Sequence, residues 1–454
     1  MSGCCFNRAG RSARRGTQKG YVLIFGALTL FFVLVPASGL AIDVGMMYVV
    51  KSLLSAASDG AALAGARAFS RGSDDASQRA NAESTANSYL NANFPSGYMW
   101  STNLQVNSVA GTDSQYVRSL TTTASVQLPL VFLRFFRTES TTVSASSKAT
   151  RRDANVMFVM DRSTSLQQSG SCTPLKNAAE NFIDKFAEGR DNVGLITFGT
   201  NSRVDNPLST TFKTAITATL TNLSCNGYTN TAQGLWQAYD ALVNLNQTGA
   251  LNVLLLFTDG LPTAVTEDFP VKASPDQCTP KNPPILGVAI DNATGLYAKD
   301  YPPDQQTVSG TSNCNFPSSL SHLQYAPSVD HWGNMLDTSG SYTRYKTVTY
   351  SGGHITLSST NIQNGATNAA DSAAWRIRSG SLDNGKSLPN VFIYAIGYGS
   401  GADNTLLKRI SNDPSLSPNP VAAGAQGRYE YAGDATQLND AFTRVASQVL
   451  RLAQ

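Results

Sequence analysis

The eleven residues Asn155–Ser165, Asn-Val-Met-Phe-Val-Met-Asp-Arg-Ser-Thr-Ser, constrain the fold of this chain more than any other stretch. An apolar run too continuous to alternate is the mark of a strand covered on both faces, which calls for a sheet with a layer on either side. The run stops abruptly in a carboxylate and two hydroxyls, Asp161, Ser163 and Ser165. In open α/β sheets ligands bind in the crevice beyond the carboxyl ends of the strands, so oxygen donors placed there converge. Carboxylate, hydroxyl and water are the ligands preferred by hard divalent ions such as Mg²⁺, Mn²⁺ and Ca²⁺. In a chain rich in Ser and Thr the D-x-S-x-S pattern needs companions before it means more than a polar loop.

The companions follow in order. Gly227-Tyr-Thr229-Asn-Thr precedes a helical pattern at Leu235–Leu245, and a second apolar strand, Leu251–Phe257, ends in Thr258-Asp259-Gly260. D-x-S-x-S, then Thr in G-x-T-N, then T-D-G after a buried strand resembles the metal-ion-dependent adhesion site of von Willebrand factor A domains. The resemblance implies Asp161, Ser163, Ser165, Thr229 and Asp259 around one divalent cation, Mg²⁺ first and Mn²⁺ or Ca²⁺ next, with Asp259 often acting through water. It further implies an open coordination position that a partner's carboxylate can take. Arg162, between the ligands, is read as a solvated charge rather than a group orienting an incoming acid. Leu166 stands where many relatives carry Met.

From Asn155 onward strand and helix patterns alternate: a helix near Leu175–Ala187, strand Val193–Phe198, a helix around Phe212–Leu220, and a last strand Val391–Ile396 running into Gly397-Tyr-Gly399. Leu406–Ile410 and Ala435–Leu452 read as further helices. The fold class expected for 151–454 is therefore α/β, a Rossmann-like, mostly parallel sheet with helices on both faces. Between about 262 and 370 the alternation stops. That stretch is rich in Pro, Gly, Asn, Ser and Tyr, too long for an ordinary connection, and reads as an inserted lobe that leaves the sheet beside the proposed site.

Ahead of this domain, residues 1–20 carry Arg8, Arg11, Arg14, Arg15 and Lys19 and no acid, and Tyr21–Ile42 then runs twenty-two residues without a charge. That length crosses a bilayer as a helix and exceeds the apolar region of a cleaved signal. The basic flank places the amino end in the cytoplasm, with a membrane segment at 21–43 and the bulk exported to a periplasm or the cell exterior. Val44–Phe69 continues the helix with an Ala-rich amphipathic pattern. The run Leu53-Leu-Ser-Ala-Ala-Ser-Asp59-Gly-Ala-Ala-Leu-Ala-Gly-Ala66 after a membrane helix resembles TadG-like proteins of tight-adherence (Flp) pilus systems. That likeness covers roughly residues 16–70 and implies a single-pass protein of a bacterial inner membrane that assembles or anchors the fibre. Gly20 before an aromatic and apolar run is similar to the processing site of type IV pilins. Phe25 replaces their Glu, so the anchor is expected to stay.

Residues 44–150 read as the helix extension plus a small pilin-like α+β unit, with period-two strands at Leu104–Val109, Thr121–Leu130 and Thr141–Ala149. Phe132, Phe135 and Phe136 are assigned to core packing ahead of an exposed contact patch. Four cysteines follow the membrane segment, Cys172, Cys225, Cys278 and Cys314, an even number suited to disulfides in an oxidising compartment. Three connectivities are open. Placing the chain on the A-domain pattern favours Cys172 with Cys225 and Cys278 with Cys314.

Composition narrows the function. The chain is 14% charged with a net charge of +3 and no Lys/Arg face beyond the first twenty residues, which gives nucleic-acid binding no support. All three histidines, His322, His331 and His354, fall in the insertion, and their irregular spacing without a C-x-x-C partner argues against zinc. No His lies in 155–260 to activate Ser163 or Ser165, and no G-x-S-x-G, H-E-x-x-H or Walker pattern appears. A non-enzymatic, metal-dependent contact with a protein ligand, in a pilus or secretion machine, is the expected role. A tethered adhesin or envelope sensor unrelated to pili is the alternative, and a metal-dependent hydrolase ranks below both.

Overall fold

A computed structural model of the protein describes residues 19–72, 74–136, 139–270, 284–291, 296–300, 323–380 and 387–453. Its contacts divide the chain into two compact units, one drawn from Met1–Ala62, Ala86–Ser108 and Thr121–Lys148, the other from Leu63–Thr85, Val109–Leu120 and Ala149–Gln454.

The amino-terminal part opens with helix α1 (Lys19–Thr29), a π-helical turn at Leu30–Leu34, and helix α2 (Val35–Ala68). The wide turn falls just ahead of Pro36, whose missing N–H breaks the regular i to i−4 ladder there. From Tyr21 to Ala68 this is one helical rod apolar and long enough to cross a membrane, and its first half is almost wholly exposed apolar surface. In its second half Met46, Val50, Leu54, Ala57 and Ala61 recur at three- and four-residue spacing and are buried, the stripe that the Ala-rich pattern foretold.

Helix α3 (Asp75–Asn93) is not legible in the sequence, because it is polar overall and its buried stripe, Ala82, Ala86 and Leu90, rests mostly on alanine. Its Tyr89 lies over Gly60, so close that a Cβ there would sit 2.7 Å from the ring. Strands β1 (Thr102–Ser114), β2 (Val117–Pro129) and β3 (Ser140–Arg152) form a sheet with β2 in the middle. On β2, Leu120, Thr122, Ala124, Val126 and Leu128 are buried in strict alternation.

The larger unit is built on β4 (Ala154–Asp161), α4 (Thr164–Gln168), α5 (Cys172–Ile183), β5 (Asn192–Phe198), β6 (Ser202–Ser209), α6 (Lys213–Asn222), α7 (Thr231–Leu245) and β7 (Leu251–Thr258). A second, small sheet follows, from β8 (Ala264–Phe269), β9 (Ile285–Ile290) and β10 (Leu296–Tyr297), then a two-strand ribbon, β11 (Tyr350–Ser351) and β12 (His354–Ile355). Helix α8 (Ser359–Ser379), β13 (Phe392–Tyr398), α9 (Asn404–Ser411), β14 (Tyr429–Ala432) and α10 (Ala435–Leu452) complete the chain.

The main sheet runs β14-β13-β7-β4-β5-β6, parallel throughout except for the edge strand β6, which is antiparallel to β5. Alternate residues of β4 divide between two cores. Met157 and Val159 join residues of α7, α8 and α9, whereas Val156, Phe158 and Met160 join α5, α6 and α10. Helices thus cover both faces, as expected for the doubly wound class. Phe158, Phe182 and Phe442 pack with ring centroids 5.5–5.9 Å apart in the second core, where truncating one such ring costs about 3–5 kcal/mol. At the amino ends of the central strands Asn155 bonds to both Asn252 and Asn192, satisfying buried amides.

Two departures from expectation stand out. Helix α8 begins inside the stretch read as insertion. Its buried face is mostly Ala, Gly, Ser and Asn, with Ile362 and Ile377 towards its two ends, so its apolar period is carried chiefly by small residues and is weak in the sequence. Edge strand β6, Ser-Arg-Val-Asp-Asn-Pro-Leu-Ser, is half exposed and holds a proline, which an edge tolerates and a central strand does not.

Candidate metal centre

Strand order reverses at β4: β5 follows on one side of it and β7 lies on the other. The crevice beyond the carboxyl ends of β4 and β7 is therefore the topological switch point of the sheet, the place where a doubly wound fold binds ligands. Asp161 is the last residue of β4, Thr258 is the last of β7, and Asp259 follows it directly.

Asp161 is fully buried. Its Oδ1 accepts from the Ser163 backbone N–H at 2.7 Å, and its Oδ2 accepts from the Thr258 hydroxyl at 2.6 Å. The Ser165 hydroxyl donates to Asp259 Oδ1 at 2.8 Å, the Ser163 hydroxyl lies 3.4 Å from the same oxygen, and the two serine oxygens are 3.0 Å apart. Four of the five residues read from the sequence thus meet at one point. Thr229 is buried on the loop before α7. That loop is bound to the first: the Thr164 N–H donates to the Gly227 carbonyl at 3.0 Å, and the Gly227 N–H donates back to the Thr164 hydroxyl at 3.0 Å. No hydrogen bond among the described residues joins the Thr229 side chain to the other four.

Local sequence explains the loop. Gly227 has φ +95°, and a Cβ there would come within 2.9 Å of the Thr200 backbone nitrogen, so only glycine fits without displacement. Asn230 caps α7 through its side-chain oxygen, and its amide nitrogen reaches the Thr200 carbonyl and the Thr266 hydroxyl. The Thr229 carbonyl accepts from Thr263 N–H, which ties this loop to the chain leaving β7. The long excursion does start beside the site.

Arg162 differs from its reading as a solvated charge. It is 2% exposed, and its Nη1 donates to the Asn226 side-chain oxygen at 2.7 Å and the Asn226 carbonyl at 3.2 Å. A loop that must fold back over the strand end brings carbonyl oxygens to the guanidinium and removes it from water. Thr258, which orients Asp161, was present in the T-D-G signature but not in the expected donor set. Gly401 closes the site from β13's loop, where a Cβ would lie 2.6 Å from the Asp259 carbonyl.

The electrostatics suit a cation. Burial, and after it the neighbouring Asp259 carboxylate, pushes Asp161 up to about 7, and burial raises Asp259 as well. Two desolvated carboxyls facing a cluster of hydroxyls are costly as anions unless a positive charge sits among them, so the donor set fits a hard divalent ion. Among the described residues no three His, Cys, Asp or Glu side chains gather at one point. His331 pairs with Asp268 and His354 stacks on Tyr325, while His322 lies outside the described residues.

A disulfide joins Cys172 to Cys225, with Cα atoms 6.1 Å apart, and so links the start of α5 to the loop carrying Thr229. Cys278 and Cys314 lie outside the described residues.

Comparison with known proteins gives two family matches. Residues 20–68 match a family described as putative Flp pilus-assembly TadE/G-like, and residues 156–261 match the von Willebrand factor type A domain. The uncharacterized protein YfbK of Escherichia coli (strain K12) is 32% identical over 108 residues, 24% of this chain and 19% of its own length. The chain therefore spans about a fifth of that relative. Similar solved structures include the PilB minor pilin from Streptococcus sanguinis, 14% identical over 78% of this chain and 79% of that one, TM-score 0.37. Another is the vWF domain of the type V pili tip protein Mfa5 from Porphyromonas gingivalis, 16% identical over 67% and 98%, TM-score 0.38.

Proposed function

We propose that this chain, which joins a TadE/G-like amino-terminal segment to a von Willebrand factor type A domain, is a non-enzymatic component of a tight-adherence pilus machine. Helix Tyr21–Ile42 anchors it in the bacterial inner membrane with the amino end in the cytoplasm, and the A domain, spanning 151–454 with its insertion, is exported. Asp161, Ser163, Ser165, Thr229 and Asp259 hold one divalent cation, Mg²⁺ first, directly or through water. The ion supplies a positive charge shared between the protein's acids and a carboxylate of a protein partner. The chain's own part is to hold its oxygens in place: Thr258 and the Ser163 N–H orient Asp161, and Ser165 orients Asp259.

The observation that carries this reading is the meeting of Asp161, Ser163, Ser165 and Asp259, from two strand ends 94 residues and more apart in sequence, within hydrogen-bonding distance at the switch point. Isothermal calorimetry on the full chain in detergent tests it. Mg²⁺ or Mn²⁺ binds the parent with one-to-one stoichiometry, and Asp161→Ala loses the heat while its circular dichroism is unchanged; a variant that still binds ends the site assignment.

A further inference from the structure

We infer that residues Val131–Arg134, at the tip connecting β2 and β3, are seated in the lipid interface alongside the membrane helix and form a second membrane contact. The inference rests on the reading of Tyr21–Ile42 as a bilayer-crossing helix.

Phe132 packs directly on Gly39. An added Cβ at Gly39 would lie 2.3 Å from the Phe132 ring, so the absence of a side chain is what admits it. Both Asp43 oxygens hold the same tip: Oδ1 accepts from the Val131 N–H at 2.9 Å, and Oδ2 from Phe132 at 3.0 Å and Leu133 at 2.8 Å. Asp43 is fully buried by this arrangement. A carboxylate with three N–H donors is satisfied even where water is scarce, which makes an acid at this depth tolerable.

The depth of Gly39 follows from helix geometry. The slab cannot extend far towards the amino end, because Lys19 precedes the charge-free run. A hydrocarbon core of about 30 Å takes up about 20 residues at 1.5 Å each, so it reaches from Tyr21 to the neighbourhood of Leu40. Phe132, resting on Gly39, then lies at the edge of the hydrocarbon. Core packing and immersion are not alternatives at this position, because the surface it packs on is itself a lipid-facing helix. Val131 beside it is 49% exposed, Phe132 and Leu133 are half-buried and Arg134 is exposed. Apolar side chains with an exposed arginine match the boundary between acyl chains and phosphate headgroups. The sequence continues Phe135-Phe-Arg137 without an acid.

Tryptophan fluorescence tests this on the full chain in vesicles of phosphatidylcholine and phosphatidylglycerol, with the phosphatidylcholine brominated either near the headgroup or deep in the chain. The emission added by Val131→Trp, or by Arg134→Trp as a second reporter at an exposed position, is expected to be lost most with the shallow bromines. Asp43→Ala in the Val131→Trp background is expected to restore it by releasing the tip. Phe25→Trp, about 6 Å inside the cytoplasmic edge of the span by the same rise per residue, serves as the control and is expected to be quenched in both brominated bilayers. A Phe25→Trp signal that no bromine quenches overturns the anchor reading and this inference with it. Quenching at Phe25→Trp without any at Val131→Trp or Arg134→Trp overturns this inference alone. Quenching that survives Asp43→Ala overturns the role given to Asp43 and leaves the packing of Phe132 on Gly39 as what holds the tip in lipid.

Discussion

At the scale of single residues, the site depends on groups that hold donors as much as on the donors themselves. Thr258 donates to Asp161 Oδ2, and the corresponding change Thr258→Val removes that bond while keeping the shape of the side chain. Loss of such a supporting bond is expected to weaken Mg²⁺ binding roughly 10–100-fold, read by calorimetry, without unfolding the domain. Gly227→Ala tests the loop: with φ +95° and no room for a Cβ, it is expected to destabilise the domain by at least about 1–2 kcal/mol in urea unfolding. The meeting of Asp161, Ser163, Ser165 and Asp259 is legible because they follow on the ends of two apolar strands, and the A-domain resemblance groups them. The environment of Arg162 was not readable. Whether a charge meets water or the carbonyl of Asn226, 64 residues on, depends on how a distant loop folds back.

At the scale of elements, the Cys172–Cys225 bridge closes a span of 53 residues across α5, β5, β6 and α6. By chain entropy such a loop is worth about 4 kcal/mol, so reduction, or Cys172→Ser with Cys225→Ser, is expected to lower the urea midpoint accordingly. The loop bearing Thr229 should loosen first, because the bridge is its covalent tie to α5. Strand β8 carries a different feature. Glu267 is fully buried, its Oε2 has no hydrogen-bond partner among the described residues, and burial, then the Asp330 and Asp268 carboxylates, hold its carboxyl well above the usual range. Burial likewise pushes Asp330 up to about 6. An acid whose folded value lies above its unfolded one keeps a proton that the unfolded chain has released, so this part of stability is present at low pH and is lost as pH rises above about 4.5. Glu267→Gln stays neutral throughout. Its melting temperature relative to the parent is expected to climb as pH rises above about 4.5, and a flat difference would contradict the assignment. Neither α3 nor α8 is legible in the sequence, since their buried faces are mostly small residues, joined by Leu90 in α3 and by Ile362 and Ile377 in α8, and small residues mark a helical period weakly.

At the scale of the whole molecule, the chain combines a TadE/G-like helix with a von Willebrand factor type A domain, and the proposed metal contact makes its partnership sensitive to chelation. Crosslinking in native envelopes with and without a chelator is expected to lose one protein partner when divalent ions are removed and to recover it when Mg²⁺ is returned. Persistence of every crosslink under chelation would count against a metal bridge. Without coordinates, the chain already establishes its apolar helix and the α/β class of its carboxyl-terminal part, whereas of three open cysteine connectivities the structure selects Cys172 with Cys225, the pairing that the A-domain resemblance favours. The first two rest on periodicity and on short motifs attached to strand ends, which are local in the sequence. Folding alone decided what lies between distant segments: the buried partner of Arg162, the Thr258–Asp161 bond, the seating of Phe132 on Gly39, and the layer to which α8 belongs. Those contacts join residues tens to hundreds of positions apart, and their energies depend on burial and approach distance, quantities that exist only once the backbone has closed around them.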